Sequence, residues 1–261
     1  MKQGFQIFIT CVSFFLIVSQ ANSKVCSTEQ MVREGLRTIY HFHYAIFSRD
    51  TLNIITAFMP LYLSTRMIDE RVQSYFYCPR HHKNIHQMPD FCFKSTDIGL
   101  RIILISLASL VVLPLDEPLH STTYVFAFTL PFTWLGKKFL KVLHTDAWLR
   151  PRNEYFDRHK KFFGGCPSGH MMEAVYAAVF FGMECGPAFG VPLGFFAAFL
   201  FGNFISCNRH FVSQLVAGAG LGMIYAYAAH KTVHLKRSHN WHFDVATDYE
   251  GKPCLQMSYE F

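Results

Sequence analysis

The hydrophobic positions of this chain fall into long runs, not into strand-like alternation. Six stretches approach the roughly 20 mostly apolar residues that a bilayer-crossing helix needs. They cover residues 51–68, 98–115, 123–143, 169–185, 187–206 and 211–230. The charges in them, such as Arg66, Arg101 and Lys137, sit toward an end, where long side chains can reach the interface. The connections at 116–122 and at Gly186 are short. The pattern predicts an all-α, polytopic transmembrane helix bundle of about six spans over residues 51–235, with no soluble second domain and no internal repeat. Residues 236–261 read as a polar C-terminal tail.

Residues 1–23 combine Lys2, an apolar stretch over 5–18 and the small residues Ser19, Ala21 and Ser23. That is the layout of a signal peptide; the alternative is an uncleaved N-terminal anchor, an extra span. Residues 24–50 follow as an amphipathic, interfacial segment, helical over 30–47 and suited to the bilayer surface.

Composition supports the membrane reading. The chain is 51% hydrophobic and 16% charged, against about a quarter charged in soluble domains. The net charge of +6 is spread among apolar helices, which argues against nucleic acid as a partner. Its densest cluster is Lys137, Lys138, Lys141, Arg150, Arg152, Arg158, Lys160 and Lys161. Such a cluster serves either as a topogenic signal for a cytoplasmic loop or as part of an anion site. Of the eight cysteines, Cys26 and Cys254 share one side of the predicted bundle, and Cys78 and Cys92 the other. Either pair is open to a disulfide in an oxidising space.

Span counting assembles a site. The third span ends near Leu143 and leads into a loop carrying Arg150-Pro151. That loop runs to Pro167-Ser168-Gly169-His170 at the mouth of the fourth span. The fifth span returns the chain to the same face, where Asn208-Arg209-His210 opens the sixth. Arg150, His170, Arg209 and His210 therefore share one rim. A helix mouth with a glycine offers unpaired N–H groups to an anion. One histidine can attack phosphorus while another protonates the leaving group, and guanidiniums neutralise the phosphoryl oxygens.

These residues resemble the motifs of the type 2 phosphatidate phosphatase superfamily, the lipid phosphate phosphatases related to vanadium haloperoxidases. The resemblance covers residues 123–230. It implies His210 as nucleophile through a phosphohistidine, His170 as general acid, and Arg150, Ser168, Gly169, Arg209 and Lys141 as phosphate-binding groups. It implies no metal and no cofactor. Pro167-Ser168-Gly169-His170 matches the second motif in full. The first motif is stretched, because eight residues separate Lys141 from Arg150 where the family has six. In the third motif Asn203-Phe204 stands for Ser-Arg, and Gln214 for the Asp that orients the nucleophile. Gln214 can hold the histidine but adds no charge; Glu173, Asp146 and Asp157 are the candidates for a replacement carboxylate.

The expected activity is hydrolysis of a lipid phosphate monoester or a prenyl pyrophosphate. The alternative is an inactive phosphatase-fold protein that binds lipid head groups. Metal or haem binding is a third class, raised by His41 and His43, by His81, His82 and His86 between Cys78 and Cys92, and by His230, His234, His239 and His242. The Cys78–Cys92 spacing fits no zinc knuckle. The expected location is a multi-pass integral membrane protein; its membrane, the face carrying the site and the oligomeric state stay open.

Overall fold

The computed structural model describes residues 28–86, 88, 90–143, 150–151, 165–238, 240–247 and 253–260. Among them are seven α-helices: α1 (Thr28–Ile46), α2 (Arg49–Phe76), α3 (Asp90–Ser109), α4 (Leu119–Leu143), α5 (Gly169–Cys185), α6 (Pro187–Ser206) and α7 (Val212–Ser238). The proposed signal segment, Arg152, Arg158, Lys160, Lys161, Asp146 and Asp157 lie outside the described residues.

The chain is not wholly helical. A short antiparallel pair, β1 (Tyr77–Cys78) and β2 (Lys83–Asn84), follows α2, and a longer hairpin, β3 (Asn240–Thr247) and β4 (Pro253–Glu260), follows α7. The second hairpin lies in the segment read as a polar tail. Trp241, Phe243 and Val245 recur at every second position, and the register sets them opposite Tyr259, Met257 and Leu255. That period-2 pattern is a strand signature.

Helix α5 is the axis of the bundle. It packs most extensively on α7 and α6, while α2 and α1 close over α7. Its middle, residues 174–183, is apolar all round, as suits a helix enclosed by others. Phe126 of α4 stacks on Tyr176 at 5.2 Å, with Phe180 and Phe181 alongside. The buried Tyr176 hydroxyl meets Thr129 Oγ1 at 2.5 Å, so this phenol has a partner.

Two glycine features fix how the central helices meet. Gly186 adopts φ +80 between α5 and α6, a conformation open to glycine, and Pro187 then starts α6. On α7, Gly218 and Gly222 face α5, where a Cβ would strike the carbonyl oxygens of Ser168 and Met172. The α5 and α7 backbones therefore touch at the level of the predicted site.

Among the described residues, three helices contain segments long and apolar enough to cross a membrane: Ser95–Val112, Pro187–Ser206 and Val212–Leu235. Apolar side chains line their outer surfaces, including Ile98, Ile102 and Ile105 on α3 and Val191, Phe195 and Phe199 on α6. These apolar helices point to membrane association. Helix α1 packs on the bundle, burying Thr38, His41, Phe42 and Ala45, with Phe42 stacked on Tyr225 at 5.9 Å. Cys78 is a free thiol, so it is not in the disulfide that the sequence left open.

Candidate active site

The turn between α6 and α7 presents His210. Asn208 takes a left-handed φ of 47, and the Arg209 N–H bonds the Phe204 carbonyl at 2.9 Å. Asparagine tolerates this conformation better than most residues. The start of α7 is held from outside its own sequence neighbourhood. The buried Asp69 of α2 accepts the Ser213 N–H at 2.9 Å and also the Ser213 hydroxyl. Arg66 balances the carboxylate at 3.4 Å. A carboxylate here caps the helix and meets the positive end of its dipole.

Opposite stands the mouth of α5. Ser168 donates its N–H to the Gln214 carbonyl at 3.0 Å, which ties the α5 mouth to α7. Its hydroxyl is fully buried and has no hydrogen-bond partner among the described residues. An orphaned buried hydroxyl is costly unless something occupies it part of the time. Gly169 passes under Lys137, whose alkyl chain fills the space a Cβ would need.

The two histidines meet around one ring. His170 contacts Phe204 edge-on at 5.5 Å and His210 contacts the same ring at 5.7 Å. Arg209 lies over it, with Cζ 5.0 Å from the centroid. Phe204 occupies the position where the resembled motif has an arginine. Arg209, five positions later, lays its guanidinium over that ring.

His210 is buried, and its Nδ1 lies 3.1 Å from Gln214 Oε1. The Phe211 N–H also reaches that Oε1 at 3.3 Å. An N–H marks the atom as an acceptor, so Nδ1 carries the proton and Nε2 keeps the lone pair. Burial holds the His210 pKa well below the usual histidine value, and the charges of Arg150, Lys141 and Arg209 push it further the same way. Arg150 is lowered to about 10 by burial and then by Arg209, yet stays charged at neutral pH.

Reading the sequence missed the acid that partners His170. Asp97 of α3 places Oδ1 2.7 Å from His170 Nε2 and 3.6 Å from Arg209 Nη2, and Oδ2 3.3 Å from Arg101. Arg101, expected to reach toward the interface, is paired here. The signal was present, since the same span counting puts the start of the second span on the rim. Glu173, one candidate carboxylate, is paired with Lys137. Asn203, at the motif serine position, donates to Thr96 at 2.9 Å and so braces α6 against α3 beside Asp97.

No family model, curated protein or solved structure matches this chain.

Proposed function

We propose that this chain is a six-span membrane phosphohydrolase acting on a lipid phosphate monoester or prenyl pyrophosphate. The observation that carries the reading is the fixed tautomer of His210 within a cluster of three cations. The Nε2 lone pair attacks phosphorus, a P–N bond forms, and the P–O bond to the alcohol or phosphate leaving group breaks. His170, held through Nε2 by Asp97, delivers a proton from Nδ1 to the departing oxygen. Water then attacks the phosphohistidine, the P–N bond breaks, and the proton of that water returns to His170. Arg150, Arg209 and Lys141 offset the charge on the phosphoryl oxygens, and the Ser168 hydroxyl gains its partner there.

A cavity of about 300 Å³ supports a substrate with an apolar tail. It runs between α2 and α7, lined by Phe58, Met59, Val216 and Ile224, and ends at Cys166 and Pro167 beside the α5 mouth. Gln214 favours a second reading, a head-group binder that hydrolyses little, because the amide lends the developing imidazolium no charge.

The test is phosphate release by detergent-purified protein from phosphatidate, a sphingoid phosphate and a prenyl pyrophosphate, with chelator present. Release abolished by His210→Ala and by His170→Ala supports the phosphatase. A folded protein that releases no more than those variants sinks it, and retention on phosphatidate vesicles would then support the binder.

A further inference from the structure

At the far end of α5 from the candidate active site lies a second polar cluster. The helix is 17 residues long, so the two sites are separated by roughly 25 Å at 1.5 Å per residue. Glu184 sits in the last turn of α5, with its side chain 2% exposed. His230 and His234, one turn apart on α7, face it. Glu184 Oε1 lies 2.5 Å from His230 Nδ1 and 3.7 Å from His234 Nε2. The two imidazoles are in edge contact at 4.4 Å. One ligand atom from each of the three residues falls within 4.8 Å of the others.

We propose that Glu184, His230 and His234 form a binding site for a divalent transition metal of the zinc type, clamping α5 to α7 at the end opposite the histidine pair. Three observations argue for it. The carboxylate is almost wholly buried, and among the described residues its hydrogen-bond and ion-pair partners are imidazoles alone. A buried carboxylate is strongly unfavourable without a compensating charge, which a bound cation supplies. Lys231, next to His230 in the sequence, is committed elsewhere, because it pairs with Asp50 at 2.5 Å.

The third observation is geometric. Ligands about 2.1 Å from a tetrahedral zinc stand roughly 3.4 Å apart, and the oxygen–nitrogen distances of 2.5 and 3.7 Å bracket that value. Histidines at i and i+4 present their rings to one point, the spacing by which a helix holds zinc. Mixed imidazole and carboxylate donors suit zinc better than calcium or magnesium, which prefer oxygen alone. His234 is half exposed, which leaves the fourth position to water.

The experiment uses the full-length protein in detergent, stripped of metal and titrated with Co²⁺ and with Zn²⁺ against a chromophoric chelator. The expected result is one metal per chain, with the visible absorption of tetrahedral Co²⁺. His234→Ala and Glu184→Gln should each weaken binding by more than about tenfold. His82→Ala, His170→Ala and His210→Ala should leave it unchanged, which separates this site from the phosphate site and from the β1–β2 loop. Because His234 is exposed, its variant keeps the proposal testable if the buried Glu184 variant fails to fold. Absence of stoichiometric binding, or binding that survives His234→Ala, overturns the proposal.

Discussion

Gln214 Oε1 accepts from His210 Nδ1 at 3.1 Å while also accepting the Phe211 N–H at 3.3 Å. One amide oxygen therefore does the orienting half of what a carboxylate does and omits the charge. Restoring the charge in the same place tests this division. Gln214→Glu is isosteric and should raise kcat for phosphate release, moving the acid limb of the pH–rate profile to higher pH as His210 becomes more basic. Gln214→Ala frees the tautomer and should lower kcat by about a hundredfold or more.

His210 also predicts a pH dependence of stability. Its folded pKa lies below the unfolded value of about 6.5, so the unfolded chain binds the proton more readily. The contribution is fully present above the unfolded pKa and is lost as pH falls below it. Melting temperatures of wild type and His210→Gln across pH 5–8 check the sign. The wild type should lose more stability toward pH 5 than the variant.

The Asp97–His170 pair predicts a dependence on the leaving group. Asp97→Asn removes the charge that supports the proton donor. It should slow alkyl phosphates by about 10²-fold or more and an activated aryl phosphate far less. Equal losses on both substrates would contradict the role of His170 as acid.

Asp69 is predicted to matter for stability. Asp69→Ala strands the Ser213 N–H and hydroxyl together with Arg66 and should destabilise the protein by about 2 kcal/mol. Asp69→Ala and Ser213→Ala together should cost less than the sum of the two. Thermal unfolding of the four proteins of this cycle measures the coupling.

Glycine positions supply a paired control. Gly218→Val pushes a branched side chain into the Ser168 backbone and should lower both melting temperature and phosphate release. Gly194→Ala on α6 has open space around it, and should be neutral or stabilising by up to about 1 kcal/mol.

The nearness of His170, Arg209 and His210, which meet around Phe204, was legible from the expected order of the helices. Counting crossings placed Arg150, His170, Arg209 and His210 on one rim with no distance information. It could not supply partners, because a partner is a tertiary fact. Asp97, Asp69 and Glu184 are acids within helical stretches, ordinary in a sequence and informative only once α3, α2 and α5 have neighbours. The contact of α1 with α7 was hidden for a related reason. Its amphipathic pattern suits a bilayer surface as well as a helix bundle, and its exposed side also carries the apolar Val32, Leu36, Tyr40 and Tyr44. The β3–β4 hairpin was readable and was obscured by the charged residues between its strands.

The proposed reacting groups come from three separate helices: Asp97 from α3, His170 from the head of α5, and His210 from the turn into α7. Synthesis delivers them in that order, with the nucleophile last. On the proposed reading, a nascent chain with five of its helices made would hold the proton donor and its carboxylate but not the His210 nucleophile. Phosphate release would therefore begin only once α7 seats its glycines against α5, and would itself report that assembly is complete.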